Sequence, residues 1–78
     1  MNRTEIAGHL ANSEREISEH TAIVERQRAL VQELHRTDAD KTEIDNAFSH
    51  MIVLEERLSL LEHDRDWFRK ALELPLNE

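Results

Sequence analysis

The sequence predicts an all-α protein, an antiparallel, coiled-coil-like two-helix hairpin that dimerises into a four-helix bundle. Three observations lead there. Helix formers such as Glu, Leu, Ala and Arg dominate, whereas one Gly, one Pro and no Tyr leave almost no vocabulary for strands and tight turns. Apolar residues recur at alternating steps of three and four in two runs whose phases do not match. Finally, 78 residues with no Cys can build only a marginal core and no disulfide framework, so burial has to be completed by association.

The first run places Ile6, Leu10, Ser13, Ile17, His20, Val24, Gln27, Val31 and Leu34 on one seam. The second places Ile44, Ala47, Met51, Leu54, Leu58, Leu61, Arg65, Phe68 and Leu72 on another, and it is apolar except at Arg65. Extending the first register would put Asp38, Lys41 and Asp45 on the seam, so the chain is expected to break within 36–41. Asp40, with Glu43 three residues later, has the form of an N-cap followed by a capping-box acid. Pro75 disfavours helical geometry at Leu74. The expected single domain over 1–78 therefore has a first helix at about 4–36, a turn at about 37–40, a second helix at about 41–73 and a short tail at 74–78. Its structural rival is one continuous helix of about 70 residues, roughly 105 Å long.

Folding back antiparallel sets Leu34 beside Ile44, Val24 beside Leu54, His20 beside Leu58 and Ile6 beside Leu72, and in every pair the two residue numbers add to the same value. The turn this offset requires falls on 38–40. Ser13, His20 and Gln27 then form a polar row in the seam, a pattern that fixes register at a cost in stability. For His20, a half-buried imidazole bonded to a neighbour such as Glu16 or Arg57 is expected. Gly8 weakens the first two turns, and Ser13 with Glu16 offers a second cap should those turns detach.

A two-helix seam leaves Ile23 and Leu30 on the first helix and Val53, Leu60 and Trp67 on the second. These stand at seven-residue spacing on the same side of each seam, which makes them one lateral strip and the expected protein interface. Phe48, Ile52 and Leu76 lie elsewhere. The expected partner is a second copy of the chain, or else another protein.

Composition points away from other classes. A net charge of -7 disfavours nucleic acid and anionic membranes as partners. The longest apolar stretch, Met51–Leu54, is too short to span a bilayer, and residues 1–20 hold no signal-like core, so a cytoplasmic protein is expected. Histidines at 9, 20, 35, 50 and 63 lack the paired spacing of a helical metal site, and neither a phosphate-binding Gly loop nor a nucleophile motif occurs. No catalytic residue, no metal and no cofactor are expected.

The runs His9-Leu10-Ala11, Ser13-Glu14-Arg15, Arg26-Gln27-Arg28, Glu33-Leu34 and Asp64-Arg65-Asp66, with Val31, resemble a group of short uncharacterised bacterial proteins that read as helical hairpins. The resemblance covers nearly the whole chain, implies the hairpin and carries no activity. Those proteins have a Gly-containing turn, whereas Asp38 stands at that place here. The functional expectation is a small non-catalytic hairpin that works by protein–protein contact and self-association. The alternative is a small regulator that binds nucleic acid or another macromolecule through its Arg-bearing ends, Arg26/Arg28 and Arg65/Arg69/Lys70.

Overall fold

The structure is a computed structural model that describes residues 2–74. Two helices, α1 (Arg3–Arg36) and α2 (Lys41–Glu73), pack against each other as an antiparallel hairpin. Among the described residues there is no strand.

Local chemistry starts and stops each helix. The Asn2 side chain accepts a hydrogen bond from the Glu5 amide at 2.8 Å, and Asp40 accepts from the Thr42 amide at 2.7 Å. Each cap satisfies one of the amides that a helix N-terminus leaves without a partner. Glu5 and Glu43 place negative charge in the first turns, and His35 and Arg36 place basic groups in the last turn of α1, all matching the helix dipole. Leu74, which precedes Pro75 in the sequence, is extended (φ -76, ψ 142), as the residue before proline prefers, and α2 ends there. Pro75 and Leu76 themselves lie outside the described residues.

The turn closes without glycine. Asp38 takes the left-handed conformation (φ 54) in which Asp is better tolerated than most residues. The Ala39 amide donates to the Leu34 carbonyl at 3.0 Å and the Asp38 amide to the His35 carbonyl at 3.3 Å. This pairing is a Schellman motif, and Leu34 and Ala39, the two positions whose apolar contact commonly accompanies one, are both half-buried. The Thr37 hydroxyl adds a 2.9 Å bond to the Glu33 carbonyl. Gly8 does not interrupt α1, which is continuous from Arg3, so Ser13 lies inside the helix and does not begin one.

Every seam position read from the period is buried or half-buried. The innermost apolar side chains are Ile6, Val24, Val31, Ala47 and Leu61, with Val24 only 1% exposed. Such a thin core follows from the architecture, because two helices share a single line of contact. The hairpin measures 60 × 14 × 14 Å, and its radius of gyration of 17.6 Å exceeds the ~11.5 Å of a compact chain of this length. Its accessible surface is 5908 Å², roughly 1,000 Å² more than the ~4,900 Å² usual for a folded monomer of 9.2 kDa. No helix among the described residues is long and apolar enough to cross a membrane.

Candidate interaction surface

The seam divides the hairpin into two flanks of different chemistry. One flank carries Glu14, Thr21, Arg28 and His35 of α1, spaced by seven, opposite Arg69, Glu62, Glu55 and Phe48 of α2. Ion pairs close it at both Arg69–Glu14 (3.5 Å) and Arg28–Glu55 (3.4 Å). All four side chains remain substantially exposed, so each pair is worth ~1 kcal/mol or less, and the ladder selects register more than it stabilises. Phe48 and Ile52 are exposed at the turn end of this side.

The other flank holds the apolar strip. Ile23, Leu30, Val53, Leu60 and Trp67 are all exposed, from 38% at Ile23 to 62% at Leu60. Each sits just outside the seam on the side away from the ion-pair ladder, which is why the hairpin by itself does not bury them. The strip is not unbroken. Arg57, three residues before Leu60, lines a cleft of about 210 Å³ with Glu16, Glu19, His20, Ile23 and Leu61, and so sets a guanidinium between the α1 and α2 parts of the row. Arg57 forms no ion pair among the described residues. Leu74 continues the spacing of 53, 60 and 67 and is also exposed. Sequence reasoning passed over it, although its place in the same seven-residue series was a usable signal.

The polar row lies half-buried between the helices. His20 Nε2 stands 2.9 Å from the Leu54 carbonyl oxygen, and Gln27 Nε2 donates to the Ala47 carbonyl oxygen at 2.9 Å. A carbonyl can only accept, so Nε2 of His20 carries the proton. The partner of His20 is thus a backbone carbonyl and not the Glu16 or Arg57 side chain, although both line the cleft beside it. Both acceptors are seven residues apart, as are both donors, so the two bonds are one contact repeated a heptad along the hairpin. Ser13 is half-buried in the same row. Among the described residues no buried side-chain polar atom lacks a partner.

At the open end of the hairpin the rings gather. His9 stacks on Phe68 with centroids 5.3 Å apart and planes 12° from parallel, and Trp67 meets Phe68 edge-on at 5.2 Å. Arg3 Nη2 donates to the Leu74 carbonyl at 3.3 Å across the same end. Phe68 therefore anchors Trp67 while leaving the indole 57% exposed, a large flat apolar surface held in one orientation.

Two further ion pairs join neighbours in the sequence. Arg65 Nη2 pairs with Asp66 at 3.1 Å, and its half-buried stem fills a seam position. Arg36 pairs with Glu33, and the bond from Arg36 holds the Glu33 carboxyl below its ordinary range. No group of three or more His, Asp or Glu side chains gathers into a metal-binding cluster among the described residues. Comparison with protein-family models, with curated proteins and with solved structures finds no match for this chain.

Proposed function

We propose that this protein is a non-catalytic interaction module whose partner is a second copy of itself, two hairpins pairing through the flank of Ile23, Leu30, Val53, Leu60 and Trp67 to make a four-helix bundle. The observation that carries the reading is the segregation of the flanks. Two ion pairs span one side, where Phe48 and Ile52 are exposed only near the turn, while the other presents large apolar side chains at heptad spacing along its length around one guanidinium. Isolated exposed apolar residues are ordinary on any surface; a row in register with the seam is what a further helix packs on.

Area supports the same reading. The excess of roughly 1,000 Å² over a compact monomer is comparable to the ~800 Å² that each partner covers in an interface of standard size. The Arg-bearing ends lend no weight to nucleic-acid binding, because Arg28, Arg65 and Arg69 face Glu55, Asp66 and Glu14 in a chain of net charge -7.

Sedimentation tests this directly. Wild-type protein at ~100 μM is expected to sediment as a dimer, since an interface of micromolar dissociation constant is filled at that concentration. Leu60→Glu combined with Val53→Lys puts charge on the flank but off the seam, and is expected to give a monomer that remains helical and melts at lower temperature. A wild type already monomeric at ~100 μM overturns the reading.

A further inference from the structure

Within the apolar flank the α2 members stand apart. Val53, Leu60 and Trp67 are more exposed than Ile23 and Leu30, because they lie further round their helix from the seam. The same face of α2 carries Arg57 and Asp64, one turn on from Val53 and from Leu60. Both charged side chains are exposed, and neither forms an ion pair among the described residues. Along the helix the order at 53, 57, 60, 64 and 67 is apolar, basic, apolar, acidic, apolar. Turned end for end, this row keeps its apolar positions and exchanges base for acid. It is therefore complementary to an antiparallel copy of itself, as the contact of a two-fold dimer has to be.

We infer that the two copies join through α2 on α2, antiparallel, about a two-fold axis beside Leu60, so that Arg57 of each lies close to the partner's Asp64 and Val53 close to the partner's Trp67. The inference rests on the self-association proposed above and adds which helix makes the contact and in what register. A two-fold axis along the hairpin keeps every level and lays α2 on the partner's α1, where Leu60 and Trp67 meet the levels of Glu19 and Asn12 and gain no apolar neighbour. Laid on its own copy, α2 matches apolar to apolar and base to acid. The level of Leu60 on α1 falls between Glu16 and Glu19, so the same axis turns these carboxylates toward their counterparts. Their repulsion keeps the two α1 helices apart, which puts the α2 pair at the centre of the assembly and leaves Ile23 and Leu30 at its border. Trp67 is held by its edge contact with Phe68 and needs little further ordering to act as an anchor.

Because the chain has no Cys, a single thiol can be placed cleanly. Leu60→Cys, at the axis, is expected to oxidise to a disulfide-linked dimer. Val53→Cys is expected not to link to its mate, which lies about 21 Å along the axis, from ~14 residues of offset at ~1.5 Å each. Charge provides a second arm. Arg57→Asp and Asp64→Arg are each expected to raise the dissociation constant about tenfold or more, since like charges then face across the contact. An equal mixture of the two variants is expected to recover wild-type affinity, because each supplies the charge that the other lacks. Equal linkage at both thiol positions, or at neither, in protein that sediments as a dimer under reducing conditions would overturn the α2 pairing and leave self-association standing. A mixture of the charge variants no tighter than either alone would do the same, and it decides the matter if Leu60→Cys is itself monomeric. A wild type monomeric at ~100 μM would overturn both. Circular dichroism on each variant confirms that the hairpin is intact before association is read.

Discussion

His20 of α1 points its Nε2 at the carbonyl oxygen of Leu54 in α2, 2.9 Å away, and seven residues on Gln27 does the same to Ala47. These carbonyls already accept the amides of Leu58 and Met51 within α2, as α-helical geometry requires, so each polar side chain adds a second donor to an occupied acceptor. Such a bond selects an axial position more than it stabilises the fold. Sliding α2 by one heptad would move both donors off their present acceptors, each to a carbonyl seven residues along.

Replacing His20 by Leu is accordingly expected to leave stability unchanged or to raise it by up to about 1 kcal/mol, since no acceptor is orphaned and apolar area is gained in the seam. Thermal and urea unfolding at fixed protein concentration measure it. In His20→Leu/Gln27→Leu the register signal is gone, and sedimentation is expected to show a broader mixture of assemblies than the wild type. A loss above about 2 kcal/mol for the single change would mean the imidazole bond outweighs burial.

Asp38 bears the only positive φ among the described non-Gly residues, in a turn whose hydrogen bonds need that conformation. Asp38→Gly is expected to stabilise the hairpin by up to about 1 kcal/mol, with relief of left-handed strain partly offset by the greater freedom of Gly in the unfolded chain. Asp38→Val is expected to cost about 1–2 kcal/mol. If both variants melt like the wild type, the turn does not hold this geometry in solution.

Gly8 sits in α1 with negative φ and nothing within 4 Å of the place where a Cβ would stand. Ala there should fit without displacement and raise stability by about 0.5–1 kcal/mol through helix propensity. Chemical denaturation decides this, and hydrogen exchange of amides in the first turns should slow in parallel. No gain would show that these turns fray in both proteins.

Arg36 lowers the pKa of Glu33 through their hydrogen-bonded pair. A carboxyl whose folded pKa is depressed contributes its stabilisation above the ordinary carboxylate range and loses it as pH falls through the lowered value. Arg36→Ala should therefore move the Glu33 titration, followed by carboxyl-carbon chemical shift, back up to the ordinary range. Identical titrations in the two proteins would show that the pair does not persist in solution. Glu33 is fully exposed, so the expected effect on melting is small.

The seam and the break between helices were legible because an α-helix presents every third or fourth residue to the same side. Ile6, Val24 and Leu61 could be placed inward, and Ile23 and Leu60 outside the seam, from spacing alone. The mismatch of phase around Asp38 and the capping acid at Asp40 were equally local. Tertiary structure alone decided what each polar group meets. The acceptors for His20 and Gln27 are main-chain carbonyls, which every residue carries and no sequence pattern marks, and which of them comes within reach depends on the stagger of one helix against the other. The pairing of Glu14 with Arg69 and of Arg28 with Glu55 depends on the same stagger, because a charged helix surface offers each arginine several acids and only the packed geometry selects one. Periodicity is a property of a single helix and can be read along the chain; the relation of one helix to another is set by how the side chains of both interlock, and exists only once they have met.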